Sequence, residues 1–317
     1  MAEFATTPPI PYVPIADKAA EVRTAINVYS TGQTYSQAQI EAIMDFQGFY
    51  VPDPDAILYV TEVETALGTT IETALPSATN PKRIISDFIK AEKAASRWTL
   101  HKRIYLPIYN NAAASAVDMV SRLSGTFTGL GSVTHAAGYV NGDGSTGYFD
   151  SGIGLPAVGG SNASGSTWAI IPQRVTGVAR YEGVNGSGTE RISLGTSAND
   201  FSQFILPSSV TVAQIATPET SAGIMISSTT STSSRFVKFR KSGAFATGSN
   251  TTLDTTVIPS GDLFFLARNN NDAGIIFAHT ERRGGYGFGL GLTEAQAEGF
   301  AANLEALYEG LTGITLP

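Results

Sequence analysis

The chain has no cysteine, only three histidines and only two tryptophans in 317 residues. Without thiols it can carry no disulfide framework, cysteine–zinc site, iron–sulfur cluster or thiol nucleophile, so its stability must come from core burial or association. His101, His135 and His279 share no H-x-H or H-E-x-x-H spacing, and spacing therefore gives a metal site no support. Long apolar runs are also missing: nothing approaches the roughly 20 residues that span a bilayer. The opening MAEFATTPPIPYVP has neither the basic nor the apolar stretch of a signal peptide, so neither membrane insertion nor secretory export is expected. Positive charge is in short supply, with 20 Lys and Arg against 27 Asp and Glu, a net charge of −7 and a pI near 5.0. The basic clusters Lys82-Arg83, His101-Lys102-Arg103, Arg240-Lys241 and Arg282-Arg283 are short and scattered. They read as solvated surface, and nucleic acid is not expected as a partner.

Catalytic patterns are missing as well. There is no G-x-S-x-G elbow, and no E-x-D-x-x-E strand that would aim paired carboxylates at a sugar. Asp143 sits in a glycine turn, Asp150 reads as an Asx-turn residue at a strand end, and Glu190 and Glu281 look isolated. Gly284, Gly285, Gly287, Gly289 and Gly291 fit neither G-x-G-x-x-G nor a P-loop, and the lysine is missing. NNND at 269–272 offers the one loop that could hold calcium, but it reads better as a β-turn. The expectation is a protein with no catalytic residue, metal or cofactor, and hence not an enzyme.

Glycine divides what is there. Residues 1–123 hold 3 of the 33 glycines and 23 of the 47 charged residues, so helix-bearing sequence gives way near Ser124 to turn-rich β-structure. The mean hydropathy of +0.04 and 42% hydrophobic residues are those of a globular chain. Pro8, Pro9, Ile10, Pro11, Tyr12 and Pro14 form an extended arm whose apolar residues suit docking on a partner. Helices are predicted over 18–29 and 36–46, and from Pro81 behind an Asn80 N-cap with Ile84, Ile85, Phe88, Ile89 and Ala95 inward. RIYLPIY (103–109) reads as extended and 112–123 as a short helix.

From about residue 132, short strands alternate with the turns NGDG, NGSG, KSG, SGD and NNND. Strands are expected at 138–140, 146–152, 167–172, 190–195, 201–206, 223–228, 235–240, 255–259, 262–268, 274–280 and 285–290. Thr293 and Gln296 make a T-x-x-Q capping box for a terminal helix whose Phe300, Ala301, Leu304, Leu307, Tyr308 and Leu311 form one apolar face. Trp168 in TWAII reads as core, while Tyr181 and Tyr286 are the candidates for stacking on a sugar. The organisation expected is a proline-rich arm and helical anchoring region (1–79), a helix–strand–helix lead-in (80–123), and an antiparallel β-sandwich with a C-terminal helix (124–317).

GYVNGDGSTGYFDSG, FLARNNNDAG and GLGLTEAQAEGFAANLEALYEGL, with the lead-in before them, resemble the concanavalin A-like (laminin-G-like) jelly-roll module of bacteriophage structural proteins, over about residues 80–317. The resemblance implies a non-enzymatic virion component of tail, baseplate or capsid surface, made in the host cytoplasm. Its partners would be other virion proteins and copies of itself. The alternative is an adhesin or receptor-binding protein that recognises host surface polysaccharide. No catalytic or metal residue carries over with the resemblance.

Overall fold

The computed structural model describes residues 50–128, 133–174, 180–185, 191–196, 202–205, 212–215, 222–252, 258–270, 274–276 and 278–317. The proline arm (Pro8, Pro9, Ile10, Pro11, Tyr12, Pro14) and the helices expected at 18–29 and 36–46 lie outside these residues. Asp53–Pro317 forms one compact unit, and the expected boundaries at 79 and 123 fall within it.

The unit is mainly β with a small helical region. The helices are α1 (Pro54–Leu67), α2 (Ile71–Ala74), α3 (Pro81–Ala94), α4 (Ala112–Ser115) and α5 (Glu294–Thr312). One sheet runs in the order His101–Tyr105, Gly285–Gly289, Gly165–Ile171, Gly223–Ser231, Ser234–Lys241, Ala244–Asn250. A second sheet of nine strands begins Val212–Gln214, Ser202–Ile205, Arg191–Thr196, Arg180–Asn185, and continues through Phe264–Phe265, Tyr148–Asp150 and Thr126–Thr128. Arg268–Asn270 and Ile275–Ile276 branch from it, and Val133–Ala136 pairs separately with Tyr139–Gly142. Among the described residues no helix is long and apolar enough to cross a membrane.

The six-stranded sheet is the middle layer because its strands are apolar on both faces. Ala169, Ile171, Met225, Val237, Phe239, Tyr286 and Phe288 share a core with the second sheet. Their neighbours Trp168, Ile170, Ile224, Ile226 and Phe236 share another with α1, α3 and α5. Alternation along a strand sends successive side chains to opposite faces, so runs such as WAII serve both cores at once. Further along, Lys238 reaches Glu294 and Glu298 of α5 at 2.9 and 2.8 Å, and Arg240 reaches Glu305 at 2.6 Å. Gly285 and Gly287 let the strands close up, since a Cβ at Gly287 would run into the Arg103 carbonyl and the Trp168 ring.

The structure departs from the expectations in four places. The second sheet is not purely antiparallel: Arg268–Asn270 runs parallel to Gly183–Asn185, although Phe264 pairs antiparallel with Gly183. Leu266 lies between them at φ 68, a left-handed turn that reverses the chain, so the sheets are mixed rather than a clean antiparallel jelly roll. Asn80 is the N-cap residue of α3 as read, its carbonyl accepting from the Ile84 N–H at 3.2 Å, but it has φ 56 and makes no side-chain cap bond. The helix expected over 112–123 stops at Ser115, because buried Asp118 takes the N–H groups of Ile104, Val120 and Ser121 and ties that segment to the sheet. Helix α1 was not expected at all; Asp53 caps it, Pro54 opens it, and Gly68 closes it at φ 68.

Candidate functional site

Three short extended segments meet at one edge of the unit. Val140 and Arg283 exchange backbone hydrogen bonds of 2.9 and 2.8 Å, and Gln173 bridges to Arg282. Alternation sorts their side chains in two. Val140, Arg174, His279, Glu281 and Arg283 are buried, whereas Asn141, Gln173, Thr280 and Arg282 line a surface cleft of about 210 Å³. That is below the roughly 300–1,000 Å³ of drug-sized sites and suits one small ring.

The inward side is a closed ionic cluster. Arg283 donates from Nε to Glu182 Oε1 at 2.9 Å and from a terminal nitrogen to Glu281 Oε2 at 2.6 Å. Glu182 also accepts the Leu266 N–H at 3.0 Å, fixing the left-handed turn described above. Arg174 lies 3.5 Å from Glu281 Oε1, and its guanidinium sits over the Phe239 ring. Burial opposes the Glu182 charge, but Arg283 and then His279 outweigh it and bring the carboxyl from its usual 4.5 to about 2. Burial, and after it the Arg283 charge, hold the His279 imidazole below 6.5, so it is neutral at pH 7. Glu182 is thus ionised, and both carboxylates are committed to arginine.

The outward side is polar and open. Arg282 lies over the Tyr139 ring, 4.1 Å from its centroid. Asn141, Gln173 and Thr280 add amide and hydroxyl groups that can both donate and accept. Beside Thr280 runs the NGDG loop, where Asp143 accepts the N–H groups of Ser145, Thr146 and Gly147 at 2.8, 2.8 and 2.9 Å. Those bonds hold the Asp143 carboxyl well below the usual carboxylate range.

The residues singled out in the sequence fare unevenly. Asp143 and Asp150 are turn residues as read, the latter accepting from Gly152 N–H at 2.8 Å, and Trp168 is core. Tyr286 offers no sugar platform: it is wholly buried and stacks on Phe265 with centroids 4.4 Å apart. The Tyr181 side chain lies outside the described residues. Glu281 is not isolated, and the solvated-surface reading fails for His101, Arg103 and Arg283, all buried. The histidines occupy separate surroundings: His101 bonds Glu92 at 2.9 Å, His135 meets the Phe127 ring edge-on, and His279 faces Glu182. Asn269 is buried and donates to the Asp262 carbonyl at 3.0 Å. The cleft has no signature in the sequence beyond the run Glu281-Arg282-Arg283, whose alternate residues point inward once the segment is extended.

No family model matches the chain, and no curated protein matches it. Among solved structures it is similar to domain 4 of AbnA, a GH43 extracellular arabinanase from Geobacillus stearothermophilus in complex with arabinotriose. That likeness has 20% identity over 63% of this chain and 100% of that one, with a TM-score of 0.40. A mutant Trypanosoma rangeli sialidase displaying trans-sialidase activity aligns at 9% identity over 72% of this chain, with a TM-score of 0.44. This chain spans 39% of that sialidase. The CBM2 module of the evolved Dit of Lactobacillus casei BL23 phage J-1 aligns at 10% identity over 47% of this chain and 71% of the module, with a TM-score of 0.29. Likenesses of this size define no shared family, and the chemistry of the cleft stands on its own residues.

Proposed function

We propose that this chain is a non-catalytic carbohydrate-binding module, carried on a phage particle, that recognises host surface polysaccharide through the cleft of Asn141, Gln173, Thr280 and Arg282. The observation that supports this reading is the sorting of side chains at that edge. Planar amides, a hydroxyl and a stacked guanidinium face outward, while the carboxylates Glu182 and Glu281 are turned inward and held by arginine. Sugars present rings of paired hydroxyls, and side-chain amides that donate and accept together match them. A glycosidase would need two carboxyl groups flanking the ligand, and the two beneath this cleft are engaged elsewhere.

Binding of host polysaccharide fragments, followed by calorimetry, tests the site. An Asn141→Ala/Gln173→Ala double variant should lose about tenfold or more in affinity, as two hydrogen bonds of about 0.5–1.5 kcal/mol each disappear. Its melting temperature should hold, because Gln173 is exposed and Asn141 partly so. Unchanged affinity in the double variant would remove the cleft from the proposal.

A second reading, a particle component whose main task is assembly, is favoured by two large exposed apolar side chains, Leu58 and Leu123. The Arg122–Asp55 ion pair at 3.3 Å links the two segments that carry them, and exposed apolar surface is what a contact with a neighbouring subunit would cover. A Leu58→Asp/Leu123→Asp variant should fold normally yet be depleted from purified particles. Full incorporation would exclude this surface from assembly.

A further inference from the structure

We infer that the cleft selects an acidic saccharide, with Arg282 as the residue that engages its ring carboxylate. The inference rests on the carbohydrate-binding reading above and names the ligand class within it.

The charge pattern around Arg282 supplies the first step. Directly beneath, Arg283 and Arg174 are matched by Glu182 and Glu281. Elsewhere in the unit Arg83, Arg97, Arg122 and Arg240 each hold a carboxylate within 3.4 Å. Arg282 has no carboxylate within ion-pair distance among the described residues, in a chain whose net charge is −7. The nearby Asp143 carboxylate is turned into its own loop by three backbone N–H groups and the Thr146 hydroxyl. The Arg282 guanidinium therefore lines the cleft without an ion-pair partner among the described residues.

Geometry supplies the second step. The Arg282 side chain leaves its segment on the outward side, between buried Glu281 and buried Arg283. Its guanidinium face is covered by the Tyr139 ring. A guanidinium stacked by its face keeps its N–H edge free, and that edge matches a carboxylate with two parallel bonds. Stacking also restricts the side chain before any ligand arrives, which lowers the ordering cost of binding. Asn141, Gln173 and Thr280 then lie where neutral hydrogen-bonding groups meet the hydroxyls of the same ring. A pyranose with a ring carboxylate, either a hexuronate or a nonulosonate, satisfies the whole set; a neutral hexose leaves the guanidinium edge with only a hydroxyl to meet.

The test uses glucuronate-terminated and N-acetylneuraminate-terminated oligosaccharides, each beside its carboxyl-reduced neutral counterpart. Titration calorimetry is run on the full chain, its Arg282→Gln variant and the Asn141→Ala/Gln173→Ala variant. The expected result is that at least one acidic probe binds about ten- to hundredfold more tightly than its reduced form. That ratio should collapse towards one in Arg282→Gln and shrink as salt is raised. Which of the two acids shows the preference separates the uronate from the sialate source. Equal affinity for acidic and reduced probes, with loss only in the Asn141/Gln173 variant, overturns the acid preference and leaves the carbohydrate reading standing. Failure of every probe and of broader polysaccharide fractions to bind overturns both. A thermal melt of Arg282→Gln matching the parent chain shows that its loss of binding is not unfolding.

Discussion

Replacing Arg283 with leucine is expected to cost about 3–5 kcal/mol of folding stability, because it leaves two carboxylates buried without their main partner. Glu182 and Glu281 are 2% and 1% exposed, too little for water to take over from the guanidinium. The damage should also reach the backbone, since the Glu182 oxygen that accepts from Arg283 also holds the Leu266 N–H in its left-handed turn. Urea unfolding followed by far-ultraviolet circular dichroism measures the loss. A triple variant that adds Glu182→Gln and Glu281→Gln should recover part of it, because neutral amides are cheaper to bury than lone charges. An unchanged midpoint in Arg283→Leu would mean that the cluster contributes nothing to the fold.

This cluster and the one around Glu92 set the direction of acid sensitivity. Glu182 and Glu92 have folded values of about 2 against a usual 4.5; burial opposes their charge in both, and arginine partners head the groups that reverse it. Between those values the unfolded chain binds protons that the folded chain refuses, so this contribution is complete above pH 4.5 and disappears as pH falls towards 2. His101 and His279, which burial holds below 6.5, act in the same sense and begin to weaken the fold just under that pH. In Arg283→Leu the acid transition should move to higher pH, as Glu182 loses the cation that keeps it ionised.

Local signals were readable in the sequence wherever neighbours in the chain are also neighbours in space. Helix α5 declared itself through Thr293 and Gln296, whose two reciprocal bonds form as expected, and through a face from Phe300 to Leu311 that is buried throughout. The KSG turn and many strand positions followed from the same short-range logic, whereas Asn269 and Asn270 of NNND lie in a strand. Helix α1 carried equivalent signs, with Asp53-Pro54 at its start, Gly68 at its end and Ala56, Tyr59, Val60 and Val63 at helical spacing. Long-range pairing could not be read this way. Nothing in RFVKFRK announces that Lys238 and Arg240 face glutamates about 60 residues later, so Arg240-Lys241 reads as solvated surface in the sequence. A leucine at φ 68 has no sequence signature, and with Leu266 went the parallel pairing of the second sheet. The cleft was hidden for a related reason: its four residues come from three segments whose common edge exists only after the strands pair.

Phe300→Ala is expected to be the most damaging change in the helical layer, at about 3–5 kcal/mol for a buried aromatic cut back to a methyl. Phe300 lies where three elements meet: its ring is 4.2 Å from that of His101, 5.4 Å and edge-on from that of Trp168, and 6.4 Å from that of Phe88. Removing it unseats α5 from α3 and from the middle sheet together. Glu92 braces the same junction through Arg97, His101 and Asn303, so the surroundings have little freedom to collapse into the space. Because the middle sheet gives one face to each core, loosening the helices should loosen the sandwich. Guanidinium unfolding should then show tryptophan fluorescence and far-ultraviolet circular dichroism falling in one coincident transition at a lower midpoint. If the dichroism of the strands kept the parent midpoint while fluorescence moved, the helical layer would be a separate cooperative unit laid on a self-sufficient sandwich. Below its transition the variant should still bind saccharide as the parent does, because the cleft stands on the Val140–Arg283 and Gln173–Arg282 pairings, and Val140 belongs to the core on the other side of the middle sheet.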